Sequence, residues 1–219
     1  MPIKRLREPE RVLRGNPQFA AGGHEPVMTG WRELGFRAMG CDIRLRVLIE
    51  DGDVADAALT LKMAAELVHD LNREWSRFRD DSALSRLNSD PRPVVRVTPR
   101  LAFAISHALA AADVSDGLVD PTMGAELRAL GYDQTFSELQ AAPNAPRPAP
   151  RAASADPSGR WTSVSVDAVR GIVRRPPGLE IDLGGIGKGL TADLVVTLLS
   201  DRAHVLADIG GDMACGGSL

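Results

Sequence analysis

Apolar and polar residues alternate from Trp31 to Arg37 and again from Asp42 to Ile49, with Met39-Gly40 between the two runs. In the second run Ile43, Leu45, Val47 and Ile49 share one face, and Asp42, Arg44, Arg46 and Leu48 share the other. A period of two with one apolar side predicts two antiparallel strands with one wet face. The period then lengthens. Asp53 stands where an N-cap belongs, and Val54, Ala57, Ala58, Leu61, Ala64, Ala65, Val68, Leu71 and Trp75 follow at helical spacing. This predicts a long amphipathic helix. A polar stretch, SRFRDDSALSRLNSD, separates it from Thr98-Pro99. Threonine as cap and proline at the first helical position predict a second helix. Its buried face is Leu101, Ile105, Ala108, Leu109 and Ala112, and it should end near Asp116-Gly117.

Residues 141–160 carry Pro143, Pro146, Pro148, Pro150 and Pro157 among alanines. Such a segment cannot join a hydrogen-bonded ladder and has little to bury, so a flexible insertion is expected there. WTSVSV, GIVRR and LEIDL then read as three short strands, with turns at Asp167–Gly171 and Pro176-Pro177-Gly178. A glycine-rich stretch follows. Leu190, Leu194, Val195, Leu198 and Leu199 mark another helix, and HVLADIGGD reads as a strand running into a tight turn. Strand pairs, then helices, then antiparallel-looking strands predict an α+β fold of mixed or antiparallel sheets with packed helices.

Composition narrows the function classes. The 219 residues are 44% hydrophobic and 25% charged, an ordinary globular balance. A net charge of −3 gives no basic field for nucleic acid. No apolar run approaches the ~20 residues that span a bilayer, so no transmembrane segment is expected. The basic N-terminus, MPIKRLREPERVLRGN, has no apolar core behind it and does not read as a secretory signal. Residues 1–30 read as a poorly ordered tail. Cys41 and Cys215 are too few for a disulfide framework and lack metal-ligand spacing, and a reducing cytoplasm is expected.

The chemistry concentrates in EIDLGGIGKGLTAD, residues 180–193. The P-loop pattern fails, because position 182 is aspartate and Lys188 is followed by Gly189 instead of a hydroxyl residue. Gly187, Gly189 and Ala192 do match the spacing of a dinucleotide fingerprint, with Asp208 downstream. However, Leu179-Glu180-Ile181-Asp182-Leu183 alternates, whereas a first strand covered on both faces would be continuously apolar. Four glycines around one lysine at a helix start leave two readings: a plain turn, or an anion cradle of backbone N–H groups.

Five blocks together resemble the ApbE-type flavin transferases, the FAD:protein FMN transferases. They are Met39-Gly40, SRFRDDSALSRLN at 76–88, SDGLVDPTMG at 115–124, DLGGIGKG at 182–189 and IGGD at 209–212. The resemblance implies transfer of FMN from FAD to a threonine or serine hydroxyl of a flavin-acceptor protein, with release of AMP and with Mg2+ as the metal. It also implies a T-fold-like architecture.

Residue by residue, the resemblance places Met39 beside the flavin, where a thioether packs well on a ring. Phe78 stands at an aromatic position of the FAD site, often tyrosine, and can stack but not hydrogen-bond. Leu118, Val119 and Asp120 match a segment that contacts FAD, and Asp120 reads equally as the N-cap of a helix at Pro121-Thr122. Asp182 and Lys188 match further FAD contacts, and the backbone carbonyl of Gly185 matches a metal ligand. Ser76, Ser82 and Asn88 read as capping and turn residues, Ser82 above all. Asp182 and Asp208 are expected on neighbouring strands, and Asp212 is expected to cap the Gly210-Gly211 turn. The general base is not assigned.

The resulting division is a tail at 1–30, an N-terminal α/β part at 31–140, the insertion at 141–160, and a strand-rich part at 161–219 bearing the glycine loop. The resemblance further implies a C-terminal portion, with a metal-coordinating Asp and Thr, that lies beyond Leu219. The expectation is therefore a truncated chain that is a weak or inactive transferase alone. The alternatives are an FAD-binding or FAD-hydrolysing module, and a Rossmann oxidoreductase.

Overall fold

The computed structural model describes residues 11–13, 30–49, 54–130, 154–200 and 204–217. They divide into two compact units that interleave along the chain. The first gathers the described residues of 1–69 and 191–219, the second those of 70–190.

The first unit holds a sheet of β1 (Arg11–Leu13), β2 (Gly30–Ala38), β3 (Cys41–Ile49), β7 (His204–Ile209) and β8 (Asp212–Gly216), in spatial order β1-β2-β3-β7-β8. Every pairing is antiparallel. The alternation in β3 works as the sequence predicts: Ile43, Leu45 and Val47 are buried while Asp42 and Arg44 are exposed. β2 and β3 pair from Gly30↔Ile49 to Ala38↔Cys41, so Met39 and Gly40 alone make the turn. Both have positive φ, 52° and 74°, as a two-residue hairpin turn that follows strand twist requires. Glycine does this freely, whereas a methionine there is strained.

The long helix α1 (Val54–Trp75) begins in this unit, and Ala57, Leu61, Ala64, Ala65 and Val68 join the core with Leu34, Ile43, Leu45, Val47, Val205, Ala207 and Ile209. Ala192, Val195 and Leu199 of α5 (Gly187–Leu199) complete that core. Burying each large aliphatic side chain contributes about 1.5–3 kcal/mol, so the two periodicities converge on one apolar layer. Two details differ from the pattern: Ala58 is exposed and Thr60 is buried in its stead. Asp53 lies outside the described residues. Of residues 1–30, expected as a tail, the structure describes Arg11–Leu13, paired with β2, and Gly30, the first residue of β2.

The second unit contains α2 (Ala83–Ser89), α3 (Pro99–Val114), α4 (Gly124–Ala129), a 3-10 turn at Arg160–Ser163, and a small antiparallel sheet. The sheet orders β4 (Val94–Arg96), β6 (Ile172–Arg174) and β5 (Ser165–Asp167) as β4-β6-β5. Thr98 caps α3 as predicted, its hydroxyl accepting from Leu101 N–H at 3.1 Å. Leu101, Ile105, Ala108 and Ala112 are buried and Leu109 is half-buried. The helix stops where Asp116 and Gly117 turn left-handed, with Gly117 N–H donating to Ala112 O at 2.8 Å. Ser82 caps α2 by accepting from Ser85 N–H at 2.9 Å.

Two predicted strands are corrected. WTSVSV yields a 3-10 turn before a strand of only Ser165–Asp167. LEIDL is not a strand at all. Its buried backbone is satisfied by a side chain and a loop instead of a ladder: Asn88 accepts from Ile181 N–H at 2.9 Å and donates to Ile181 O at 2.8 Å, and Asp182 N–H donates to Pro121 O at 2.8 Å. Ile181 and Leu183 are buried, but so is Asp182 between them, and the hydrogen bonds that define a strand are absent.

Candidate functional site

The second unit encloses a cavity of about 330 Å3. Three stretches meet around it: Gly117–Pro121 after α3, Asp182 with Gly185-Ile186 before α5, and Ser154 with Asp156 ahead of the 3-10 turn. Thus Leu118, Val119, Asp120, Asp182 and Gly185, five of the residues singled out from sequence, are brought together. The expected insertion at 141–160 is described only from Ser154, and the described part supplies one wall.

Asp120 shapes the first stretch. Its Oδ1 accepts from Thr122 N–H at 2.7 Å and from the Thr122 hydroxyl at 2.6 Å, while Oδ2 is buried with no hydrogen-bond partner among the described residues. Asp120 is not the N-cap of a helix; it closes an Asx turn, and α4 starts later, with Met123 at the cap position. Leu118 is 62% exposed, an apolar group left facing solvent at the cavity rim.

The glycine loop is organised by Asp182. Its Oδ1 accepts from Gly184 N–H at 2.7 Å, and its Oδ2 takes the Arg77 Nε at 2.6 Å. Both side chains are nearly buried, 10% exposed for Arg77 and 9% for Asp182. A Cβ at position 184 would stand 2.7 Å from Asp182 Oδ1, which is why this position takes glycine. Leu183 O then accepts from both Ile186 N–H (3.1 Å) and Gly187 N–H (2.7 Å), and α5 begins. So the amides of Gly184, Ile186 and Gly187, expected to face an anion, are engaged within the loop.

Arg160 fixes the third stretch. It pairs with Glu126 at 2.6 Å and with Asp156 at 3.1 Å. The Arg160 guanidinium holds the Glu126 carboxyl below its ordinary range. Asp156 is lowered first by Ser158 N–H, then by the Ser158 hydroxyl and Arg160. Among the described residues that line the cavity, three are carboxylates, Asp120, Asp156 and Asp182, and none is a lysine or arginine.

The other candidates lie elsewhere. Phe78 is 39% exposed, with the Arg77 guanidinium 4.3 Å from its ring centre. Lys188 sits half-buried in the first turn of α5. Neither lines the cavity. Met39 belongs to the first unit, where its sulfur lies 3.6 Å from the Thr191 hydroxyl. Asp208 is on β7 and Asp182 is on no strand, so the two are not strand neighbours; Asp208 Oδ1, not Asp212, accepts from Gly211 N–H at 2.8 Å in the Gly210-Gly211 turn. Asn88, read from sequence as a turn former, is the anchor of Ile181. Arg77 was not singled out, although it adjoins Phe78 within the SRF stretch.

Among the described residues no three His, Cys, Asp or Glu side chains are placed to hold a metal ion. The side chains described do not fit a magnesium shell. Among the described residues no helix is long and apolar enough to cross a membrane.

Over 164 residues the chain is 31% identical to the FAD:protein FMN transferase of Treponema pallidum, covering 73% of this chain and 44% of that protein. Its fold matches flavin transferase ApbE from Vibrio cholerae with a TM-score of 0.68 at 20% identity, over 87% of this chain and 60% of that one. It matches the Pseudomonas stutzeri flavinyl transferase ApbE with a TM-score of 0.68 at 19% identity, over 89% and 63% of the two chains. The chain thus spans less than half of the Treponema relative and about three fifths of those structures. The model of the ApbE family matches residues 39–218, and the chain belongs to that family.

Proposed function

We propose that this chain is the FAD-handling portion of an FAD:protein FMN transferase, whose acceptor is a threonine or serine hydroxyl of another protein. The observation that carries the reading is the glycine loop at 182–187, locked by the Asp182 carboxylate and opening beside a cavity edged by Leu118, Val119 and Asp120. A cavity whose described lining offers carboxylate acceptors and no cation suits the donor-bearing, uncharged end of a dinucleotide, whose N–H and O–H groups need acceptors, better than a diphosphate. Asp120 Oδ2 is a buried acceptor of that kind. The diphosphate then belongs outside the cavity, toward the start of α5, where the helix dipole favours negative charge and Lys188 adds a cation.

The reaction is a phosphoryl-type displacement. The acceptor hydroxyl oxygen forms a bond to the FMN phosphorus, the diphosphate P–O bond breaks, AMP leaves with the bridging oxygen, and the hydroxyl proton passes to a base or to water. Such a step rests on positioning and charge neutralisation more than on covalent participation by the enzyme. This chain contributes the fixed loop, the ring-end cavity and the Lys188 charge. A second reading is FAD binding or FAD hydrolysis without transfer.

Incubation with FAD, magnesium and a threonine-bearing acceptor tests both readings. A mass gain of one FMN on the acceptor with equimolar AMP supports transfer. FMN and AMP without acceptor modification supports hydrolysis, and bound, intact FAD supports the binding module. No binding of FAD overturns all three.

A further inference from the structure

The Arg77–Asp182 pair sets an electrostatic problem at the glycine loop. Asp182 carries a negative charge into the loop that leads to the start of α5, where, on the reading above, the dianionic diphosphate comes to rest. Two features of the pair answer it. Arg77 Nε meets Asp182 Oδ2 at 2.6 Å with both side chains about nine-tenths buried, so the charges compensate each other where solvent screens them least. The guanidinium carbon of Arg77 lies over the Phe78 ring, 4.3 Å from its centre. The ion pair and the ring contact together restrict where the guanidinium can sit. The remaining oxygen, Asp182 Oδ1, accepts from Gly184 N–H, 2.7 Å away, and a Cβ at position 184 would stand 2.7 Å from that oxygen.

We propose that Arg77 is a positioning residue for the diphosphate of the bound dinucleotide: it neutralises Asp182 and, through Asp182 and Gly184, sets the shape of the glycine loop. The inference rests on the FAD reading. Arg77 touches no substrate; it acts through another side chain. Phe78, in this view, serves as the platform of Arg77 as well as a ring near the ligand. A pair that served stability alone would affect every ligand of the site alike. A pair that serves the diphosphate would discriminate by charge.

The test compares FAD, ADP and riboflavin binding to the wild-type chain and to Arg77→Met, Arg77→Lys and Arg77→Met/Asp182→Asn, by flavin fluorescence or calorimetry, with thermal melting as the fold check. Arg77→Met should weaken FAD and ADP by about tenfold or more and leave riboflavin nearly unchanged, because the uncompensated carboxylate opposes the diphosphate. Arg77→Lys should recover part of the loss. The double variant should bind FAD more tightly than Arg77→Met, since the offending charge is gone. If Arg77→Met fails to fold, the double variant against Arg77→Lys carries the comparison: selective weakening of FAD and ADP in Arg77→Lys, relieved in the double variant, supports the proposal. Equal losses for all three ligands, or unchanged FAD affinity, would overturn it while leaving the FAD reading intact. A wild-type chain that binds riboflavin and ADP but not FAD, or none of them, would overturn the reading and the inference together.

Discussion

Gly184 and Gly189 lie five residues apart and should respond to alanine in opposite directions. A Cβ at Gly184 would stand 2.7 Å from an oxygen that Arg77 prevents from moving aside. Gly184→Ala should cost about 1–3 kcal/mol, lowering Tm by roughly 2–4 °C per kcal/mol, and should weaken FAD binding. A Cβ at Gly189 would meet nothing within 4 Å. Gly189 sits in the first turn of α5, so alanine there should raise stability by up to about 1 kcal/mol. Thermal melting of the two variants checks both signs. A titrating pair gives a second residue-scale expectation. Glu126 is depressed below its ordinary 4.5 by Arg160. A depressed carboxyl contributes stability that is present above the unfolded value and is lost as pH falls through the folded one. Glu126→Gln should therefore melt lower than wild type at neutral pH, and the gap should close below about pH 4.5. A gap that stays constant to pH 3 would show that the Arg160 pairing does not hold this wall.

At the scale of elements, period two and period 3.6 located β2, β3, α1, α3, α5 and β7 from sequence, because each buries one apolar face. What periodicity could not supply was hydrogen bonding. LEIDL has the alternation of a strand, yet its partner is Asn88, 93 residues away in sequence. Nothing local marks Asn88 for that role, since asparagine near a helix end reads as an ordinary capping residue. The three-residue β4 is too short for a period to show, and β8, DMACG, does not alternate apolar and polar residues. The Asn88 bridge gives its own prediction. Asn88→Asp keeps the acceptor for Ile181 N–H and loses the donor to Ile181 O, whereas Asn88→Ala loses both. Each buried backbone group left unpaired costs about 1–3 kcal/mol. Chemical denaturation should rank wild type above Asn88→Asp and Asn88→Ala lowest, with FAD affinity following the same order because Ile181 leads into Asp182. Equal stability of all three would mean that solvent satisfies Ile181 and that the bridge is incidental.

At the scale of the whole molecule, the decision between flavin and nicotinamide chemistry turns on strand direction. Gly187-x-Gly189-x-x-Ala192 with Asp208 downstream has the spacing of a dinucleotide fingerprint. That spacing works only when the glycines follow a parallel strand whose carboxyl end points at the cofactor. Here every pairing among the described strands is antiparallel, and the loop follows an irregular segment pinned by Asn88 and Pro121. The glycines are spent differently: Gly184 admits the Asp182 carboxylate and Gly187 closes the first helical turn. This distinction was half legible in the sequence, since a carboxylate at position 182 does not suit a strand covered on both faces. Its resolution needed Arg77, whose charge makes that carboxylate tolerable and which no short motif identifies. NADH and FAD share an adenosine diphosphate half, so adenine affinity alone cannot separate the readings. The flavin end can. FAD should bind with quenching of flavin fluorescence, riboflavin should compete with it, and nicotinamide mononucleotide should not. Competition by nicotinamide mononucleotide at concentrations comparable to riboflavin would place a nicotinamide in the cavity edged by Leu118, Val119 and Asp120, and the glycine loop would have to be reinterpreted from its strand onward.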